Sequence, residues 1–324
     1  GDQDLTHQDN LKYDDSFSAE NDLRPAFPLP LSIIEQSDFP TRAHRSVKRD
    51  TTNLTDNYRL FLANEFKDIP KNRGELWKLS TLNNLLYFHM EESLYVTKGK
   101  QQMKMKDGTE AFVGSGDIFA QEPDEIMQAD KGYGGTQSQW AALTSNYGYF
   151  FVDINSRKVF LMKDKLTEIS TAGLEEWFKT NLPSELEEYG MRSNCLDNPI
   201  VGLGLTAIYD PKFKRIILTK KDFKPTQLFI DRWNLPSGPG SGNCPNYVEN
   251  KIRFNSNKCI YQQWGPDKNG FCGWNDIPFE CGAASKFTCE GWTISYYPEI
   301  GVWGSFHDYV PYIYFSTSTD FYSL

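Results

Sequence analysis

The chain has 324 residues and a formal charge of -9, from 34 basic and 43 acidic side chains. That length can bury a sizeable core, as one large all-β domain or two ordinary ones. The acidic balance argues against a domain that grips nucleic acid through its phosphates, and the sequence reads as having neither a helical membrane span nor a secretory signal.

Residues 1–37 are polar, with Pro25, Pro28 and Pro30 close together, and predict an extended N-terminal arm. Because the first residue is Gly1 and the aromatic, strand-like run Tyr314–Leu324 has no closing turn, both ends are expected to be cuts, from proteolytic maturation of a precursor or from a longer sequence given in part. Residues 38–233 predict a propeller-like β-domain. Asp38–Glu75 holds one or two strands joined by turns. A first cassette follows, with strands at Leu76–Leu82, Leu85–Met90 and Ser93–Lys98 divided by Asn83-Asn84 and Glu91-Glu92. The alternation Gln102-Met-Lys-Met-Lys leads into a turn at Asp107-Gly108. Its lysines suit a solvated strand face better than a nucleic-acid stripe, and Gly114-Ser115-Gly116 reads as a turn into a strand.

The second cassette, from Gly134, is a meander of three or four short strands. Its members Tyr149–Ile154 and Val159–Met162 are apolar on both faces, as in a small sheet sandwiched between two neighbours. A helix is expected from about Gly173 to Lys179, with Leu174, Trp177 and Phe178 on one face. Pro183 interrupts it, and Ser184 with Glu187 forms a capping box for a short second helix that Gly190 ends. The third cassette is the hairpin Gly204–Tyr209 and Arg215–Lys220, turning at Asp210-Pro211-Lys212. Residues 234–290 predict a Cys/Gly/Pro-rich loop insert. Residues 291–324 predict closing blade strands, continued by another segment, with a hairpin turning at Pro298–Gly301. If the two hairpins share one four-stranded blade, the insert is an excursion from its edge. The fold class is therefore mainly β: propeller-like blades of antiparallel meanders with a short helical insertion and a Cys-rich loop.

Chemistry is sparse. Five of the six cysteines, Cys244, Cys259, Cys272, Cys281 and Cys289, crowd into the insert, while Cys195 stands apart. With no Cys-x-x-Cys pair and no histidine nearby, disulfides suit the insert better than zinc. No metal or cofactor is expected. The acidic doublets Glu91-Glu92, Asp124-Glu125, Glu175-Glu176 and Glu187-Glu188 point neighbouring side chains apart and make no glycosidase pair by themselves. His7, His44, His89 and His307 are scattered, and His89 sits in an apolar strand where a hydrogen-bonded core role is usual. No Gly-x-Ser-x-Gly elbow or phosphate loop occurs, so no catalytic residue is assigned. The aromatic series Trp292, Tyr296, Tyr297, Trp303, Phe306, Tyr309, Tyr312, Tyr314 and Phe315 serves packing for the most part, with sugar stacking or a subunit interface as further uses.

Seven runs stand out in order: Asp38-Phe-Pro-Thr-Arg, Pro70-Lys-Asn-Arg-Gly-Glu, Glu92-Ser-Leu-Tyr-Val-Thr-Lys, Gly114-Ser-Gly-Asp-Ile-Phe, Gly135-Thr-Gln-Ser-Gln, Tyr209 through Asp222, and Trp292 through Pro311. Together they resemble the tail muzzle proteins of crAss-like short-tailed bacteriophages, also called stabilisation proteins and similar to the propeller-bearing nozzle proteins of other podoviruses. The likeness covers Asp38 to Leu324 apart from the insert, and family members are much longer. It implies a non-enzymatic virion protein in a homo-oligomeric, six-membered ring at the distal end of the tail, lining or gating the channel for DNA and ejected proteins. Its partners are then other segments of the same polypeptide, hub and fibre proteins and passing DNA, and its assembly site is the bacterial cytoplasm. The rival readings are a propeller glycosidase and a glycan-binding receptor module.

Overall fold

The computed structural model describes residues 39–47, 61–62, 64–97, 117–238, 244, 246–282, 285–317 and 320–324, and the backbone alone of 101–104 and 110–113. The expected arm at 1–37, the turn at Asp107-Gly108, the Met/Lys alternation beyond its backbone at 101–104, and Gly114–Gly116 lie outside the described residues. Two units are distinguished, one running to Leu76 and resuming at Tyr95–Glu125, the other made of Trp77–Leu94 and Ile126–Leu324.

Strand β1 (Arg42–His44) pairs antiparallel with β2 (Phe66–Asp68), placing Arg42 opposite Asp68. The Arg42 guanidinium donates to both oxygens of Asp68 at 2.7 and 2.9 Å. It also lies 3.7 Å from the ring centroids of Phe39 and Phe66, so the Phe-Pro-Thr-Arg run makes a cation–π sandwich. Strands β3 (Leu76–Leu82) and β4 (Leu85–Met90) fall where the sequence puts them. Their turn is built from Asn83 and Asn84 at φ 50° and 61°, the pair of left-handed conformations that a tight hairpin requires and asparagine tolerates. Short ladders join β5 (Leu94–Val96) to β8 (Asp124–Glu125), and β6 (Gln101–Lys104) to β7 (Glu110–Val113).

The second cassette is a four-stranded meander in spatial order β12-β11-β10-β9, from β9 (Leu143–Ser145), β10 (Gly148–Asp153), β11 (Lys158–Met162) and β12 (Leu166–Glu168). Every residue of β10 is buried. Phe150 and Val152 enter one apolar cluster, while Phe151 and Tyr149 turn to the opposite side against His89 of β4. Both faces of the sheet are covered, which is why no polar alternation exists in this stretch.

Helix α1 (Glu175–Asn181) follows, with Phe178 fully buried. The expected second helix is a 3-10 turn, Glu185–Tyr189, ended by Gly190 at φ 84°. Its cap differs in detail from a capping box, because the Ser184 hydroxyl accepts from Leu186 N–H and donates to Asp222. A short helix α2 (Ser193–Leu196) leads on to β13 (Gly204–Asp210) and β14 (Arg215–Pro225). Asp210 builds the connecting turn by accepting from the N–H groups of Lys212 and Phe213.

The expected two hairpins share one sheet, in order β13-β14-β18-β19, completed by β18 (Phe287–Tyr297) and β19 (Val302–His307). The insert leaves from between the two inner strands and not from an edge. Strands β14 and β18 remain paired for ten registers, from Ile216 opposite Tyr296 to Pro225 opposite Phe287, and carry the insert at the far end of that ribbon. The insert is more than a loop. Helix α3 (Gln227–Trp233) and a sheet of β15 (Ile252–Asn255), β16 (Ile260–Pro266) and β17 (Cys272–Asp276) enclose a cluster that includes Phe223, Phe229, Tyr261 and Phe287. A last hairpin, β20 (Tyr314–Ser316) and β21 (Phe321–Ser323), is tied to the third sheet by the Tyr314 hydroxyl, 2.6 Å from that of Thr219.

The second and third sheets meet around Phe150, Val152, Val159, Leu205, Ile216, Leu218 and Ile294, with Phe178 and Leu182 closing the cluster. Each such side chain contributes about 1.5–3 kcal/mol through burial. Two indoles fix the approach: Trp303 donates to the Ile169 carbonyl at 2.8 Å and Trp292 to that of Asn181 at 3.3 Å.

Candidate functional site

The run Gly135-Thr-Gln-Ser-Gln, conspicuous in the sequence, is a buried polar seam where three strand systems meet. Thr136, Gln137 and Ser138 are each at most 1% exposed, so every polar atom there needs a partner within the protein. Thr136 donates to the Val152 carbonyl of β10 at 2.8 Å. Gln137 accepts from the N–H groups of Ile154 and Asn155 and donates to Asp153 and to the Glu91 carbonyl after β4. Ser138 donates to Asp197, beyond α2, at 2.7 Å, and the same carboxylate accepts from Gln139 N–H at 2.9 Å. Lys78 of β3 donates to the Gln139 and Ala142 carbonyls. Glycine precedes the run of necessity, since a Cβ on Gly135 would overlap the Glu91 carbonyl.

His89 sits beside this seam as a core residue. Its Nε2–H donates to the Gly134 carbonyl at 3.1 Å, which leaves Nδ1 to accept from the Tyr149 hydroxyl at 2.8 Å. Burial without a carboxylate partner lowers its pKa to about 3, so the ring is neutral. Burial pushes the Asp197 carboxyl up to about 6 against the hydrogen bonds from Ser138 and Gln139. Sequence reasoning missed Asp197, Asp153 and Lys78, because a lone Asp before Asn-Pro and a Lys inside a strand look like surface charge.

The cysteines form a second centre. All six are paired, and Cys195, which stands apart in the sequence, is joined to Cys259 with Cα atoms 5.2 Å apart. The fold closes that separation: α2 lies against the insert and brings Cys195 into its cluster. Cys244 pairs with Cys272 and Cys281 with Cys289, at Cα separations of 5.5 and 5.6 Å.

The remaining candidates scatter. Glu175 and Glu176 both face Lys179, Glu125 pairs with Arg73, and Glu187 is exposed, with its pKa raised chiefly by desolvation from neighbouring groups. Among the described residues, no group of three His, Cys, Asp or Glu side chains is arranged to hold a metal ion. Of the late aromatics, Tyr296 and Tyr314 are buried, whereas Phe306, Tyr312 and Phe315 are about half exposed along the outer strand and the final hairpin. Phe306 extends a ring cluster with Trp177 and Trp292 to the surface. No described helix is long and apolar enough to cross a membrane.

The seam ties β4, β10 and the segment after α2 together, and the disulfides fasten the insert. A family model described as Crassvirus muzzle protein matches residues 2–324. No curated protein matches the chain.

Proposed function

Because the chain belongs to the crassvirus muzzle protein family, we propose that it walls and gates the distal channel of the phage tail, through which DNA and ejected proteins leave. Membership makes it a structural component of a bacteriophage virion. In our reading the four-stranded meanders are propeller-like blades, held face to face by the cluster around Phe150 and Ile294 and pinned by the seam at Thr136–Ser138. Six copies form the ring, other segments of the same polypeptide supply further blades, and hub and fibre proteins are the neighbours. Assembly takes place in the bacterial cytoplasm.

The family match across nearly the whole chain carries this reading. The site supports it chemically, since its polar groups are spent on one another and on backbone, leaving a scaffold of fixed geometry. The test is an image of the intact virion at a resolution that traces strands. The expected result is the two four-stranded sheets at the distal tip in six copies about the tail axis; their location in the capsid, or in a single copy off the axis, would overturn the proposal.

A further inference from the structure

The disulfides differ in where they lie. Cys195 and Cys244 are 3% and 2% exposed, and each anchors a pair that reaches into or across the packed insert. Cys281 and Cys289 are both exposed. Their bond closes the neck of the insert, joining the segment after β17 to β18 only 8 residues later, where Cys289 faces Phe223 across the ribbon. No cysteine enters the cluster between the second and third sheets.

We propose that Cys281–Cys289 is a redox latch on the neck of the insert, carried as two thiols in a reducing compartment and closed by thiol–disulfide exchange outside it. The compartment step rests on the virion reading above; the exchange hierarchy rests on exposure and packing alone. Exchange needs a thiolate with a clear line of approach to a sulfur, which Cys281–Cys289 offers at both ends, whereas each of the other pairs keeps one cysteine buried and the other only part-exposed. For closure, one cysteine thiolate attacks a small-molecule disulfide, forming a mixed disulfide and expelling one small thiolate. The second cysteine thiolate then attacks the mixed disulfide at the protein sulfur, forming the Cys281–Cys289 bond and expelling the second. Two electrons pass from the cysteine pair to the small disulfide, and the two thiol protons go to the departing thiolates or to water. A bacterial cytosol keeps such a pair reduced, and the medium beyond it does not.

The experiment equilibrates the folded chain in graded glutathione buffers, quenches with acid, alkylates free thiols and maps the label. The expected result is label at Cys281 and Cys289 in buffers where the other four cysteines carry at least about tenfold less, with unchanged amide protection in β10 and β11. Simultaneous opening of all three pairs, or earlier opening of Cys195–Cys259 or Cys244–Cys272, would overturn the hierarchy. The variant Cys281→Ser/Cys289→Ser tests the latch: insert cleavage by protease should become insensitive to mild reduction, whereas the parent's rises, and an equal rise in both would overturn it. In the third arm, infected cells alkylated before lysis should yield label at both positions and purified virions none; the same state in both overturns the compartment step. Absence of the chain from virions counts against the virion reading, and leaves the hierarchy to be judged on the isolated protein.

Discussion

Asp197 in the polar seam and His89 beside it respond to acid in opposite senses. His89 titrates at about 3 when folded against 6.5 ordinarily, so between those values the unfolded chain binds a proton that the folded chain refuses. Its contribution is complete above pH 6.5 and falls as pH drops toward 3, by about 1.4 kcal/mol per pH unit. Asp197 titrates at about 6 against 3.8, so the folded chain retains a proton that the unfolded one has lost, and stability declines as pH rises through that window. Across pH 4–6 the two slopes oppose each other. Asp197→Asn removes one of them while its amide can still accept from Gln139 N–H and leave Ser138 bonded to the Leu205 carbonyl. The stability of the Asn variant relative to the parent should therefore rise by about 2–3 kcal/mol between pH 4 and pH 6. Urea unfolding of both proteins at intervals of pH checks this, and a constant difference would show that burial does not hold the proton on Asp197.

The insert is an element with its own core, and Phe287 is its keystone. It is fully buried at the far end of the β14–β18 ribbon, with Phe223, Phe229, Tyr261 and Phe279 around it. Phe287→Ala should cost about 3–5 kcal/mol, and the loss should be local. Hydrogen exchange is expected to quicken in β15, β16 and β17 while β10 and β11 keep their protection, and a uniform loss would mean that insert and sheets unfold as one. The sequence made the sheets legible and this core illegible for one physical reason. Tyr149–Val152 and Ile216–Leu218 are apolar runs bounded by turn residues, so burial on both faces leaves a trace in composition. In the insert, Phe254 and Tyr261 lie among Asn, Gln, Lys and Gly because the face opposite Tyr261 is covered through the polar Gln262 as well as Trp264, and the disulfides fix what periodicity does not announce. Asp210 and Asn83-Asn84 were readable as turns since their conformations favour those side chains, whereas the partner of Cys195 depended on a fold over 64 residues of sequence.

At the scale of the molecule, charge sets how the protein would respond to DNA. The formal charge is -9, and in the most basic stretch, Lys212 to Lys224, four of the six basic side chains are paired with carboxylates within the second unit. Lys214 pairs with Glu299 at 2.9 Å, Arg215 with Asp210 at 2.9 Å, Lys220 with Asp222 at 2.8 Å, and Lys224 with Glu185. A lysine already paired gains less from a phosphate, because it must give up its carboxylate, and the displaced carboxylate then repels the duplex. Repulsion by the uncompensated acidic surplus reaches about 8 Å at physiological salt and about 30 Å at 0.01 M, so lowering the salt should make binding worse. Duplex DNA titrated with the chain is expected to show no retarded band at 0.15 M salt and none at 0.01 M, the behaviour that the proposed channel role requires. The contrary result has its own signature. A complex that forms at low salt and weakens log-linearly with salt would report released counterions at gathered cations. Substituting Glu299 and Glu185 by Gln distinguishes the two cases further: with its lysines freed, the hairpin should acquire weak, salt-sensitive binding that the parent lacks, and an unchanged null result would mean that the compensation argued for Lys214 and Lys224 is not what keeps DNA away.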